Sequence, residues 1–197
     1  IDFDQMNFSI SDVINAAAEQ KIINPEPVNG QPTGKSSEAA AQAEWTIMVF
    51  INAKNNLEAY GIKDTNEMEM VGSTDKVNVV VELGRISGYD SSNGDWKTVR
   101  RYYIKKDNDT RVINSPMIAD LGNLDMGDWN NLVDFVKWAK ATYPAKKYLL
   151  NVWNHGSGWK YLGITKGISY DEATGNNITT AQLGQALAAA GGVDVYT

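Results

Sequence analysis

The sequence predicts an α/β fold, a sandwich built on a mostly parallel sheet. Near-continuous apolar runs of strand length occupy residues 45–53 (WTIMVFINA), 77–86 (VNVVVELGRI) and 146–154 (KKYLLNVWN), as expected for strands buried on both faces. Helical patterns separate these runs, and buried strands that alternate with helices usually pair in parallel. The chain has 197 residues, of which 43% are hydrophobic, so it is long enough for one sizeable domain with a real core.

Residues 55–73, between the first two runs, predict the first helix. Either Asn55 or Asn56 can act as its N-cap, and Gly72 can end it. Its partly apolar face is formed by residues at helical spacing: Leu57, Tyr60, Met68 and Val71. The pattern therefore indicates an amphipathic helix between two buried strands.

Three further segments follow the second apolar run. Residues 88–95 (GYDSSNGD) are rich in turn formers and predict a loop, and residues 96–106 (WKTVRRYYIKK) alternate like an exposed or edge strand. Residues 107–124 show no periodicity and predict an irregular connection. The basic and aromatic part, RRYYIKK, could also form a nucleic-acid surface. Its alternation and the acidic character of the whole chain favour a strand with solvated cations.

Residues 125–145 carry the clearest helical pattern in the chain. Asp128 is the predicted N-cap, and Pro144 is expected to stop the helix. The apolar residues at helical spacing are Leu132, Phe135, Val136 and Ala139. These positions predict one buried face.

The last part of the chain predicts a turn, a helix and a strand. Residues 168–177 (ISYDEATGNN) form the turn, and residues 179–192 form the helix, with Thr179 or Thr180 as its N-cap. Residues 193–197 (VDVYT) look like the start of another buried strand. Because domains rarely end with a buried strand that has just begun, we expect more polypeptide to follow.

The N-terminal residues 1–44 differ from the rest in composition. A short helix is possible early in this segment, with Ser11 or Asp12 as its cap. Residues 24–44 are rich in Pro, Gly, Ser and Ala, which is typical of a linker. We therefore expect residues 1–44 to be an N-terminal arm or pro-segment, with a plain flexible leader as the alternative.

Charge and composition narrow the classes of function. The chain has 18 basic and 24 acidic residues, a net charge of −6 and a pI of about 4.8, which argues against general nucleic-acid binding. No apolar stretch approaches the length of a transmembrane helix. Because the chain contains no cysteine, it can form no disulfide, thiolate metal site or thiol nucleophile of its own. This composition fits an exported protein.

The single histidine of the chain lies in the stretch NHGSGW, directly after the third apolar run. Sites in open α/β sheets form beyond the carboxyl ends of parallel strands, which is where His155 falls. Its imidazole can move protons near neutral pH, and the bare backbone N–H of Gly156 could stabilise an oxyanion. Ser157 is a poor candidate nucleophile because a residue two positions away rarely points back. A structural histidine is the alternative.

These motifs together resemble the clostripain family of cysteine peptidases, in the clan that includes caspases, legumain and gingipains. The resemblance covers residues 45–197. It rests on WTIMVFINAKNNLE, NEMEMVGS, VNVVVELGR, the block from DMGDWNNL to NHGSGW, and SYDEATGNNITTAQLGQAL. It implies a caspase-like α/β/α sandwich in which residues 45–197 are the N-terminal part of a peptidase domain. It also implies a secreted bacterial thiol protease, made as a zymogen and matured by autoprocessing.

The resemblance assigns roles to individual residues. His155 would be the histidine of a Cys–His dyad, and Gly156 would supply an oxyanion-hole N–H. Trp153 and Asn154 are the candidate substrate-binding residues, although a tryptophan at this position more often serves packing. The family's cysteine follows the strand that VDVYT begins, so we expect it shortly beyond Thr197, on a second polypeptide associated with this chain.

The resemblance also implies an endopeptidase that cleaves peptide or protein substrates after Arg or Lys. No cofactor is expected to be required. Periplasmic or cell-surface sites are alternatives to secretion. The alternative function is that of a binding or adaptor relative that has the same fold and lacks the nucleophile.

One turn could hold a calcium ion, since calcium prefers oxygen ligands. Its oxygen-bearing side chains are Asp171, Glu172, Asn176 and Asn177. The spacing matches no EF-hand, so a plain turn is the simpler interpretation. Lys54, in INAKNNLE, stands where many relatives are expected to carry an acid, which leaves its role open.

Overall fold

The structure is a computed structural model that describes residues 42–155 and 167–197. In chain order these residues form strand β1 (Ala43–Ala53), helix α1 (Glu58–Glu69), strands β2 (Val77–Arg85), β3 (Val99–Tyr103) and β4 (Met117–Asp120), helix α2 (Trp129–Thr142), strands β5 (Ala145–Trp153), β6 (Gly167–Ile168) and β7 (Ile178–Thr179), helix α3 (Thr180–Ala189) and strand β8 (Val195–Tyr196).

A six-stranded sheet runs through the middle of the described residues, in the order β4-β3-β2-β1-β5-β8. Strand β1 pairs in parallel with β2 and β5, and β5 pairs in parallel with β8. Strands β3 and β4 are antiparallel and close one end of the sheet. The predicted mostly parallel α/β sheet is therefore confirmed. Strands β6 and β7 form a separate antiparallel pair.

The central strand β1 is apolar throughout because both of its faces are covered. Ile47, Val49 and Ile51 pack on the face that α1 covers, together with Ile62 and Met68 of that helix. The alternate β1 residues face the other side of the sheet, where α2 and α3 pack: Met48 and Phe50. Burying a large apolar side chain contributes about 1.5–3 kcal/mol. The two cores therefore hold helices on both faces, as in an α/β/α sandwich.

Local sequence signals explain where α2 and α3 begin. The carboxylate of Asp128 accepts a hydrogen bond of 2.9 Å from the Asn130 N–H, as predicted for the N-cap of α2. Thr179 caps α3 through a capping box, in which Thr179 and Gln182 bond to each other's backbone N–H groups.

Helix α1 begins later than the sequence predicts. Its N-cap is Leu57, which makes no side-chain cap bond. The Asn55 side chain instead accepts a hydrogen bond of 2.9 Å from the Leu57 N–H and stabilises the turn that precedes the helix. Gly72 follows the helix with φ +72°, and a Cβ there would lie 2.2 Å from the Lys106 backbone nitrogen. Only glycine fits that conformation at that distance.

Of two predictions near the sheet edges, one is wrong and the other is confirmed in part. Residues 107–124, predicted to be irregular, contain strand β4, in which Met117 and Ile118 are exposed; an exposed edge strand leaves no buried apolar run in the sequence. Residues 193–197, predicted to begin a buried strand, do form strand β8, which pairs in parallel with β5. Val195 and Tyr196 are 39% and 59% exposed, and β5 is the one strand next to β8 among the described residues.

The predicted arm lies largely outside the described residues, so residues 1–44 as an arm and the helix capped by Ser11 or Asp12 stay predictions. Strand β1 starts at Ala43, two residues before the predicted run. In the part of the chain that the structure describes, none of the helices has the length and apolar character needed to span a membrane.

Glu82 is a charged side chain buried within the second core. It is fully buried on β2, and its Oε2 accepts a hydrogen bond of 2.6 Å from Arg101 Nε. The second oxygen, Oε1, has no hydrogen-bond partner among the described residues. Burial raises the pKa of Glu82 to about 7, although Arg101 opposes the shift.

The raised pKa predicts how stability depends on pH. Between about pH 4.5 and 7 the native state keeps a proton that the unfolded chain has lost, so the free energy of unfolding falls as pH rises, by up to about 3 kcal/mol. Glu82→Gln should flatten this slope, measured by denaturant titration at about pH 5 and about pH 8. Glu67→Gln, on the exposed side of α1, is the control and should leave the slope unchanged. A wild-type slope in Glu82→Gln would contradict the assignment.

Candidate active site

The carboxyl ends of the parallel strands bring together segments that are distant in sequence. Strand β1 ends at Ala53, β2 at Arg85 and β5 at Trp153, and Ile51 of β1 lies in register with Trp153. The residues that follow β1 and β5 therefore emerge side by side. This edge is where sites form in open α/β sheets.

His155 lies at this edge, two residues beyond the end of β5, and its side chain is exposed. Its Nε2 lies 2.9 Å from Oδ1 of Asn56, which follows β1. An amide oxygen only accepts hydrogen bonds, so the contact places the imidazole proton on Nε2. The other ring nitrogen, Nδ1, is then unprotonated in the neutral ring and can accept a proton as a general base.

Asn154 fixes the backbone next to the histidine. Its amide group donates to the Asn52 carbonyl at 2.8 Å and to the Tyr170 carbonyl at 3.0 Å, so it ties β1 to the turn after β6. Its Oδ1 is buried and has no hydrogen-bond partner in the described parts of the chain. The geometry gives Asn154 a supporting role, and its predicted contact with substrate stays a prediction.

Trp153 is held within the protein. Its indole Nε1 donates a hydrogen bond of 2.7 Å to Asp64 on α1, and its ring packs against the first core. Burial raises the pKa of Asp64, and the hydrogen bond from Trp153 opposes that shift. These contacts agree with the packing interpretation of Trp153, while its role toward substrate stays a prediction. The predicted oxyanion residue Gly156 and the disfavoured nucleophile Ser157 lie outside the described residues.

The candidate calcium turn uses its side chains within the protein. Asp171 Oδ2 contacts Lys54 Nζ at 2.9 Å and the Met126 N–H at 3.0 Å, and its Oδ1 accepts from the Ala173 N–H at 2.9 Å.

Glu172 and Asn176 of this turn also make side-chain contacts within the protein. Glu172 accepts hydrogen bonds from the Tyr89 hydroxyl at 2.9 and 3.0 Å, and the Asn176 amide donates to Asp125. No cluster of three or more acidic or histidine side chains with metal-site geometry occurs among residues 42–155 and 167–197. Asp171 and Glu172 thus make contacts within the protein, and calcium binding at this turn stays a prediction.

The sequence did not reveal Asn56 as a site residue, because it fits equally well as a helix cap. The signal was present in the run NAKNN directly after a buried strand, where Asn52, Asn55 and Asn56 cluster. Asn55 donates to the Tyr170 carbonyl at 3.0 Å, beside the bond from Asn154. Polar side chains at a strand end, where no regular backbone partner exists, make contacts between loops.

The comparison of sequences identifies this architecture. The sequence model of the clostripain family matches residues 49–197. The chain belongs to the clostripain family. It is 30% identical over 155 residues to clostripain of Hathewaya histolytica, a match that covers 73% of this chain and 29% of clostripain.

Solved structures of the family have the same fold. A secreted C11 cysteine protease from Bacteroides thetaiotaomicron, in complex with an irreversible peptide inhibitor, matches with a TM-score of 0.60 and 25% identity, over 78% of this chain and 41% of that protein. An inactive zymogen C11 protease from Parabacteroides distasonis matches with a TM-score of 0.53 and 20% identity, over 75% of this chain and 39% of that protein. The chain thus spans well under half the length of these relatives. The likeness confirms the predicted family and fold.

The contact between His155 and Asn56 predicts which tautomer the neutral imidazole of His155 adopts. Because this chain has one histidine, it contributes one imidazole ring to long-range ¹⁵N–¹H spectra. We expect the wild-type neutral ring to carry its proton on Nε2, and Asn56→Ala to give a mixture of tautomers. Asn108→Ala, an exposed asparagine after β3, should leave the spectrum unchanged. A wild-type ring protonated mainly on Nδ1 would contradict the geometry.

Proposed function

We propose that this chain is the histidine-bearing part of a cysteine endopeptidase. The observation that carries the proposal is the position of His155 at the carboxyl edge of the sheet, where its contact with Asn56 through Nε2 leaves Nδ1 as the ring nitrogen that can accept a proton. Membership of the clostripain family supports a thiol nucleophile as its partner. The proposal extends to the whole protein, of which this chain spans only a part relative to its relatives.

The reaction follows from the chemistry of a Cys–His dyad. His155 Nδ1 takes the thiol proton, and the thiolate sulfur attacks the scissile carbonyl carbon. Backbone N–H groups, with Gly156 as the proposed donor in this chain, hold the negative oxygen of the tetrahedral intermediate. The imidazolium returns its proton to the leaving amine as the C–N bond breaks. Water, deprotonated by His155, then hydrolyses the thioester and regenerates the thiol.

The cysteine has to come from residues outside this chain, which contains none. The register of the sheet supports a proposed position for it, since Tyr196 of β8 lies in register with Leu150 of β5 and His155 is five residues after Leu150. A residue about five positions after Tyr196, in the same strand direction, would reach the level of His155. We propose that the cysteine lies there, on a second polypeptide that is produced by maturation of a zymogen and stays associated with this chain.

The substrates proposed are peptides and proteins cut after Arg or Lys, and the proposed location is outside the cell. The Bacteroides thetaiotaomicron relative described as secreted supports the location. The cleavage preference rests on the resemblance to the family.

The composition of the mature protein tests the proposal. Denaturing mass spectrometry of the purified gene product, after iodoacetamide treatment, should show this chain with a second polypeptide that carries one alkylated cysteine near its N-terminus. This chain alone, without a cysteine-bearing partner, would contradict the peptidase and favour a non-catalytic relative.

Activity gives a second test, on fluorogenic peptides that end in Arg or Lys. His155→Ala in the full gene product should lower kcat/KM by at least about a thousandfold, because the thiol loses its base. Asn108→Ala is the control and should keep wild-type kinetics. Iodoacetamide should abolish the wild-type activity. Hydrolysis that survives His155→Ala would show that the histidine is structural.

A further inference from the structure

Lys54 places a buried ammonium after the end of β1, two residues before Asn56. It is the first residue after β1 and only 2% exposed. Its Nζ lies 2.6 Å from the Leu124 carbonyl oxygen, 2.9 Å from Asp171 Oδ2 and 3.4 Å from Asn123 Oδ1. A buried charge is costly unless it is paired and hydrogen-bonded, and this one is both.

The oxygens around Nζ resemble the ligands of a bound cation. A carboxylate, a backbone carbonyl and a side-chain amide are the oxygen types that bind hard metal ions. All three belong to segments other than that of Lys54: residues 121–128, which lead into α2, and residues 169–177, the turn after β6. The ammonium therefore joins three segments at one point, as an ion would.

Those segments also carry the contacts that hold the histidine. The Lys54 carbonyl accepts the Glu172 N–H at 2.9 Å, which aligns residue 54 with the turn. Two residues along the chain from Lys54, Asn56 contacts His155. The amides of Asn55 and Asn154 both donate to the Tyr170 carbonyl, next to the Asp171 that Lys54 binds. A shift of the turn would displace both sides of the contact between Asn56 and His155.

We propose that Lys54 is a positioning residue, an internal cation that fixes the segment carrying Asn56 and thereby the tautomer and orientation of His155. Its effect on the structure is independent of the proposed function, while its effect on turnover rests on that function. The ammonium supplies the positive charge. The four-carbon side chain, which lies against Gly84, is long enough to bring that charge to Leu124 and Asp171.

The first variant distinguishes the effect of the positive charge of Lys54 from the effect of its aliphatic side chain. Lys54→Met keeps a long unbranched stem and removes the charge. In the full gene product we expect it to lose the Nε2–H preference in the ¹⁵N spectrum of His155, to lower the melting temperature and to reduce kcat more than it changes KM. Lys63→Met, on the exposed face of α1, is the matched control and should leave all three unchanged. A Lys54→Met protein with the wild-type tautomer and kcat would overturn the proposal.

A second variant keeps the proposal testable if Lys54→Met does not fold. Lys54→Ala removes three methylene groups and the ammonium, so n-propylammonium matches what is missing. Refolding and recovery of the histidine tautomer should require n-propylammonium chloride and should not occur in sodium chloride of equal ionic strength. The proposal would be overturned if the variant refolds and recovers the tautomer equally in both salts, or if it does so in neither. Recovery of the tautomer without any peptidase activity would refute the proposed function and leave the role of Lys54 intact.

Discussion

The site depends on the parallel pairing of β1 with β5. Their register brings Ile51 level with Trp153, so the chain leaves both strands at the same edge of the sheet. Asn56 and His155, 99 residues apart in sequence, then lie within hydrogen-bond distance. The pairing is secured by the apolar β1 residues, which are buried by helices on both faces. A one-residue slip in this register would exchange the two faces and separate the pair.

Two buried ion pairs lie at the same edge of the sheet. Lys54 pairs with Asp171 after β1, and Arg85, at the end of β2, pairs with Glu58 at 2.8 Å. The side chains of both pairs are almost fully buried, where removing one partner leaves an uncompensated charge. Such pairs add little net stability compared with apolar packing, but each permits few alternative arrangements. We interpret them as the reason why loops without regular secondary structure hold fixed positions around His155.

Much of the fold could be predicted from the sequence because its signals are local. The apolar runs of β1, β2 and β5 and the N-cap at Asp128 depend on neighbours in the chain, and so does the place of His155 after β5. The exposed edge strand β4 could not be predicted, since pairing at a sheet edge leaves no buried pattern. The contacts of Asn56 and Lys54 join segments far apart in sequence, and only the fold brings their partners near.

In the proposed mechanism, His155 serves a cysteine through Nδ1 while Asn56 holds Nε2. The most direct measurement is a crystal structure of the full gene product with an irreversible peptidyl inhibitor bound to its cysteine. We expect a sulfur within about 4 Å of His155 Nδ1, with the contact between Nε2 and Asn56 retained. A cysteine that approaches Nε2, or one that lies far from the imidazole, would contradict it.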